Sequence, residues 1–159
     1  MLDINSLIQK IIFNVSDNAY WYNKLNKKEF SSAHLALMTE PCLTHLLNGE
    51  KTIESRFSRN KIAPYGKVSV GDVIIIKRSC GPILGVFEAS AVEYIEFSAD
   101  SEVLAVKEKY NSKILAPEDF WSRKHSSRYA TLIDVGNLYT FEPIPISWVN
   151  RQSWITMRF

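Results

Sequence analysis

The run Val73-Ile74-Ile75-Ile76 constrains this chain more than any other feature: four apolar residues in succession, opened by the turn sequence Val70-Gly71-Asp72 and closed by Lys77-Arg78. A strand that faces water on one side alternates apolar and polar residues, because successive side chains point to opposite faces. A short β-branched run without that alternation predicts a strand buried on both sides. Ser79-Cys80-Gly81-Pro82 behind it has the composition of a hairpin connection, and Ile83 to Tyr94 resumes an extended pattern. With 159 residues, 46% hydrophobic and 23% charged, the chain can build one real core with appendages, which excludes a largely disordered protein. No apolar stretch approaches the roughly 20 residues of a membrane-spanning helix.

The remaining elements follow from period and punctuation. Asp3 to Val15 predicts a helix, with Ile4, Leu7, Ile8, Ile11 and Ile12 on one face and Asn5 and Ser6 near its start. Ser16 to Ser32 is polar and aromatic; Tyr20, Trp21 and Tyr22 suggest packing there without specifying an element. His34 to Met38 reads as a short strand. Thr39-Glu40-Pro41 then has the chemistry of a helix start, with Thr39 as cap, Glu40 at the positive end of the dipole and Pro41 in the first turn. Leu43, Leu46 and Leu47 supply the buried face of that helix, and Asn48-Gly49 stops it. Thr52 to Phe57 alternates as a strand, with Ile53 and Phe57 on one face and Thr52, Glu54 and Arg56 on the other. Helical patches run from Ser101 to Tyr110 and from Pro117 to Lys124, Arg128 to Val135 and Leu138 to Ile146 are extended, and Trp154 to Phe159 closes the chain as a strand. Strand-helix alternation is not sustained, so the pattern predicts an α+β fold: a small mixed β-barrel of about six strands with flanking helices, over residues 33–159, and an extra N-terminal helical extension over residues 1–32.

Net charge is only +2, but unevenly placed. Gly49 to Arg78 holds seven basic residues against three acids, whereas Ile83 to Asp119 holds eight acids against three lysines. Such a dipolar field is either a set of solvated loops or a binding face for a polyanion. His34, His45 and His125 are scattered, and no C-x-x-C or H-x-x-x-H pair occurs, so no metal and no cofactor is expected. Cys42 and Cys80 read as two reduced thiols, Cys42 buried rather than reactive, and Asp3 stands where a secretory signal would carry positive charge; a cytoplasmic protein is expected.

The strongest local signal is Gly49-Glu50-Lys51-Thr52-Ile53-Glu54-Ser55-Arg56. An ammonium, a carboxylate and a guanidinium surround one helix-to-strand junction, and Glu54 and Arg56, two apart on a strand, can pair or grip a ligand jointly. Lys51 sits at the junction, where alternation does not set its direction. The bland reading is an exposed strand face with a surface ion pair.

This segment, with Val70-Gly71-Asp72-Val73-Ile74 downstream, resembles the ASCH domain family, whose hallmark is G-x-K-x-x-E-x-R followed by a G-D-x-hydrophobic strand start. The match at Gly49, Lys51, Glu54 and Arg56 is complete, and it extends more loosely through Pro117-Glu118-Asp119-Phe120-Trp121 to Trp154, about residues 33 to 158. The resemblance implies a PUA-like barrel with a cleft where the motif residues meet, receiving single-stranded RNA or a nucleotide-like small molecule. Lys and Arg would neutralise phosphate and flat side chains would stack on bases. One branch of the family resembles amidohydrolases that use a lysine, a threonine three residues later and a distant glutamate. Here Glu54 stands in place of that threonine, and Thr52, adjacent to Lys51, does not substitute in the same geometry. Another branch cuts single-stranded RNA, for which Lys51 and Glu54 would be the catalytic pair and Arg56 a charge stabiliser.

Further ligand contacts are drawn from Arg59 in the basic loop, from Lys77 and Arg78 at the end of the buried strand, from Trp121 within the patch Trp121-Ser122-Arg123-Lys124-His125, and from Arg128 and Tyr129. Each has a structural alternative: Trp121 as core, the cations snorkelling into water. Three functional readings therefore stand side by side: an RNA- or nucleotide-binding module, a hydrolase using the same cleft (ribonuclease before amidohydrolase), and an interaction module or homodimer working through residues 1–32.

Overall fold

A computed structural model describes residues 3–147 and 151–158; Phe159, placed in the closing strand by its sequence, lies outside them. The chain forms α1 (Ile4–Asn14), α2 (Ala19–Asn26), β1 (Ala33–Met38), α3 (Cys42–Leu47), β2 (Ile53–Ser58), β3 (Val73–Arg78), β4 (Ile83–Glu96), α4 (Asp100–Ile114), α5 (Glu118–Lys124), β5 (Tyr129–Ile144) and β6 (Trp154–Met157). The strands make one mixed sheet in the order β2-β5-β4-β3-β1-β6, in which β1 and β3 run parallel and the other neighbours antiparallel. The sheet curls into a half-barrel with flanking helices, the α+β architecture expected from the sequence.

Strand β3 is covered on both faces, and the two covers differ. Val73 and Ile75 pack with Leu7, Ile8, Ile11, Trp21 and Leu25 of the N-terminal helices. Ile74 and Ile76 point the other way, into the barrel interior with Leu43, Leu46, Phe87, Ile133 and Trp154. A third cluster joins β2 to α4 and α5 through Ile53, Phe57, Val103, Val106, Ile114 and Trp121. Burying these side chains fully contributes about 1.5–3 kcal/mol each before conformational entropy is subtracted.

Several local expectations are corrected. The polar segment after α1 contains the helix α2: the Asn18 side chain accepts the Trp21 amide, and Trp21 and Leu25, one turn apart, are buried. Its docking is polar as well as apolar. Trp21 Nε1 donates to the Asn137 carbonyl (2.7 Å), while the Glu88 carboxylate accepts from the Tyr20 hydroxyl, from Asn137 Nδ2 (2.8 Å) and from Lys24 Nζ (3.3 Å). Burial first, and then Glu88, push the Tyr20 phenol up to about 12, so it remains a donor. At α3 the cap is Glu40, not Thr39: its carboxylate takes the Thr44 amide (2.8 Å) and the Thr44 hydroxyl, and Pro41 occupies the cap position itself. The two C-terminal extended segments are one strand, β5, because Gly136-Asn137 forms a bulge against β4 instead of a turn, with Asn137 at φ 48°. Helix α4 runs on to Ile114, and Leu115, at φ 57°, ends it.

Candidate functional site

The site begins at the junction between α3 and β2. Gly49, at φ 78°, takes the left-handed conformation that lets the chain leave the helix, and the His45 carbonyl accepts both the Glu50 and the Lys51 amides (3.0 Å each). The next residue, Thr52, donates its amide to the Lys113 carbonyl (3.0 Å), which seats the junction on the C-terminal end of α4. That contact sets the direction of Lys51. Its Nζ donates to the Ile114 carbonyl at 2.6 Å, among the unsatisfied carbonyls of a helix terminus, where a cation is favoured.

From there a row of charges crosses the sheet. Lys51 Nζ lies 3.9 Å from Glu54 Oε2, and Glu54 Oε1 accepts from Arg56 Nε at 2.9 Å. Lys51 is 2% and Glu54 5% exposed, so the bland reading of a solvent-exposed strand face is overturned. Two ions so deeply buried persist only because each keeps a partner. Arg56 also donates from Nη2 to the Leu37 carbonyl of β1 (2.9 Å) and from Nη1 to the Ser153 carbonyl before β6 (3.3 Å). Strand β2 is one edge of the sheet and β6 the other, so this guanidinium bridges the open seam of the half-barrel where no backbone ladder does.

The same guanidinium lies 5.1 Å over the Trp154 ring. Trp154 Nε1 donates to His34 Nδ1 (3.1 Å), which also meets the Thr156 hydroxyl (3.1 Å), and His34 Nε2 donates to Asp72 Oδ2 (2.8 Å). Asp72 further accepts the amides of Ser32 (3.0 Å, Oδ1) and Ser69 (2.9 Å, Oδ2). Burial would raise its carboxyl, but the bond from His34 and the two amides outweigh it and hold it below the usual carboxylate range. Arg56, Trp154 and Asp72, distant in sequence, are thus joined in one chain of contacts.

Beside this row opens a cavity of about 350 Å³. Lys51, Glu54 and Arg56 line one side; Tyr65 and Tyr129, edge to face at 5.0 Å, stand on another with Lys61 Nζ over both rings. Phe120, Arg123 and Lys124 of α5 supply a third side, and Thr131, Ser55 and Cys42 also line it. Burial pushes the Cys42 thiol up, which disfavours the thiolate. Of the residues singled out from the sequence, Lys51, Glu54, Arg56 and Tyr129 meet here. The others lie outside the cavity: Gly49 shapes the turn; Arg59 donates to Ser126 Oγ (2.7 Å); Lys77 is buried with Nζ on the Arg78 carbonyl (3.1 Å); Arg78 faces Glu40 (4.0 Å); Arg128 pairs with Asp100 (3.2 Å). Trp121 is core, edge to face on Phe57, while its neighbours Phe120, Arg123 and Lys124 reach the cavity. Tyr65 and Thr131 carried no signal in the sequence. Among the described residues no group of three or more His, Cys, Asp or Glu stands together, and no helix is long and apolar enough to cross a membrane.

No protein-family profile matches the chain, and no curated protein does. Its fold has clear counterparts among solved structures. The crystal structure of ASCH from Zymomonas mobilis superposes with a TM-score of 0.62 at 15% identity, over 79% of this chain and 87% of that one. Crystal structures of two single-substitution mutants of the Zymomonas mobilis protein match equally, with TM-scores of 0.62 and 0.61 at 14% and 15% identity, over 79% of this chain and 88% and 90% of theirs. The half-barrel with its flanking helices therefore shares its fold with those ASCH structures.

Proposed function

We propose that the cavity binds single-stranded RNA or a nucleotide-like ligand. The observation that carries the reading is the lining itself: Lys51, Arg56, Arg123 and Lys124 against the single carboxylate of Glu54, with the flat faces of Tyr65, Tyr129 and Phe120 around them. Cations neutralise phosphate and aromatic rings stack on bases, whereas a purely structural cavity has no reason to gather either. The volume sits at the lower end of ligand pockets, roughly 300–1,000 Å³, which suits one splayed-out nucleotide and excludes a duplex. Glu54, held between two cations, is an acceptor for a base edge.

A hydrolase acting in the same cavity is the second reading, favoured by the approach of Lys51 to Glu54 within it. A ribonuclease fits better than an amidohydrolase, because Glu54 replaces the threonine nucleophile and Thr52 is exposed outside the cavity. An interaction role for residues 1–32 has less to work with: Leu7, Ile8, Ile11 and Ile12 of α1 are spent on the sheet, leaving Phe13, Tyr20 and Tyr22 exposed.

The deciding experiment incubates the protein with end-labelled single-stranded RNA, with and without EDTA, beside Lys51→Met, reading mobility shift and cleavage. A salt-sensitive shift, weakened about tenfold or more in Lys51→Met, is expected for binding through a charged contact. Cleavage that disappears in Lys51→Met selects the ribonuclease. Neither shift nor cleavage removes the RNA reading and turns the search to free nucleosides or a protein partner.

A further inference from the structure

Several cations of this protein are answered by a carboxylate. Lys24 faces Glu88, Arg78 faces Glu40, Lys107 faces Glu118 and Arg128 faces Asp100. Of the cations that line the cavity, Lys51, Arg56 and Arg123 each face a carboxylate, and Lys124 faces none among the described residues. It lies at the end of α5, half-buried against the cavity, and its Nζ reaches only the Phe57 carbonyl at 3.4 Å and the face of Phe120 at 6.0 Å; no described carboxylate comes within 4.0 Å. The charges around it are of its own sign. Burial, and then Arg123 and Arg56, push its ammonium below the usual lysine range. Arg123, its neighbour on the rim, has one partner, Asp119 at 3.7 Å, and that pair is largely exposed.

A partly desolvated ammonium without an anion, set beside two guanidinium groups, is costly to keep unless something negative completes it. The nearest carboxylate of the cavity, Glu54, is already held by Arg56 and faced by Lys51. Resting on the nucleotide reading of the same cavity, we propose that Lys124, with Arg123 at the rim, forms a phosphate subsite, so that the site selects a nucleotide over the corresponding nucleoside. The base would lie toward Tyr65 and Tyr129, on the far side of Arg56. The ammonium acts as a compact charge on one phosphate oxygen, and Arg123 as a two-pronged donor from the solvent side.

Calorimetric titration of the four ribonucleosides and their 5′- and 3′-monophosphates against the wild-type protein, Lys124→Met and Arg123→Gln tests this. Wild type is expected to bind at least one monophosphate about tenfold or more tighter than its nucleoside, the effect of a charge-assisted contact. Lys124→Met should abolish that preference by weakening the monophosphate far more than the nucleoside, and Arg123→Gln, at an exposed position that cannot disturb the core, should reduce it. Equal affinity of nucleoside and monophosphate for wild type overturns the subsite but not the cavity. Equal weakening of both ligands by Lys124→Met, with Arg123→Gln silent, overturns it likewise. Binding of no nucleoside, nucleotide or RNA overturns the cavity reading and the subsite together.

Discussion

Replacing Arg56 with Met is expected to destabilise the protein by about 3–5 kcal/mol, read as a fall in the urea midpoint. The substitution keeps the length of the side chain and removes three hydrogen bonds together: to Glu54, to the Leu37 carbonyl and to the Ser153 carbonyl. It strips Glu54 of its close partner, leaving a buried carboxylate with Lys51 at 3.9 Å, and it takes the guanidinium donor from the Leu37 carbonyl, while the Ser153 carbonyl keeps the Leu37 amide (2.9 Å). The stacking over Trp154 also goes. Lys51→Met should cost less, because Glu54 then still keeps Arg56 at 2.9 Å. The triple variant Lys51→Met, Glu54→Leu, Arg56→Met should recover part of the loss, since no buried charge is then stranded; equal midpoints for the single and triple variants would refute the buried-charge account. A neutral Arg56→Met would show that the seam is held by other contacts and that Arg56 serves the ligand alone.

Asp72→Asn carries the second large effect, about 3 kcal/mol or more, because no orientation of the amide fits. Oδ1 accepts from the Ser32 amide and Oδ2 from His34 and the Ser69 amide, so an NH2 at either place meets a donor. The same carboxylate sets a pH dependence. Its folded-state value lies below the unfolded reference of 3.8, so its contribution to stability is complete above that value and is lost as pH falls through the lower, folded one. Thermal melts should therefore be steady in this respect from neutrality to about pH 4–5 and then decline. In Asp72→Asn this acid-side decline should be shallower, on a uniformly lower baseline. An unchanged slope would mean that other carboxylates govern acid unfolding.

Much of the fold was legible because its signals are local. The uninterrupted Val73–Ile76 run demanded two covers, the 3.6-residue spacing of Leu7, Ile8, Ile11 and Ile12 announced α1, and the positive φ at Gly49 is what Asn48-Gly49 offers after a helix. Less local features escaped. Helix α2 docks through Glu88 and Asn137, some 60 and more than 100 residues away along the chain, so its polar composition hid its anchoring. Gly136-Asn137 has the chemistry of a turn, and only pairing with β4 makes it a bulge within one strand.

For the site, residue identity determined which charges were available and, through strand alternation, that Glu54 and Arg56 would sit side by side. It could not determine that the pair is buried, since that depends on α4 ending at Ile114 and on β1 and β6 closing over the seam. Nor could it separate Trp121 from Lys124, three positions apart on a short helix: one turns to the core cluster and the other to the cavity, according to how α5 is seated on Phe57. Alternation and capping act within a few residues, and sequence reports them directly. Desolvation and charge pairing are sums over groups from distant segments, and for this protein they were decided only when the sheet curled and brought those segments together.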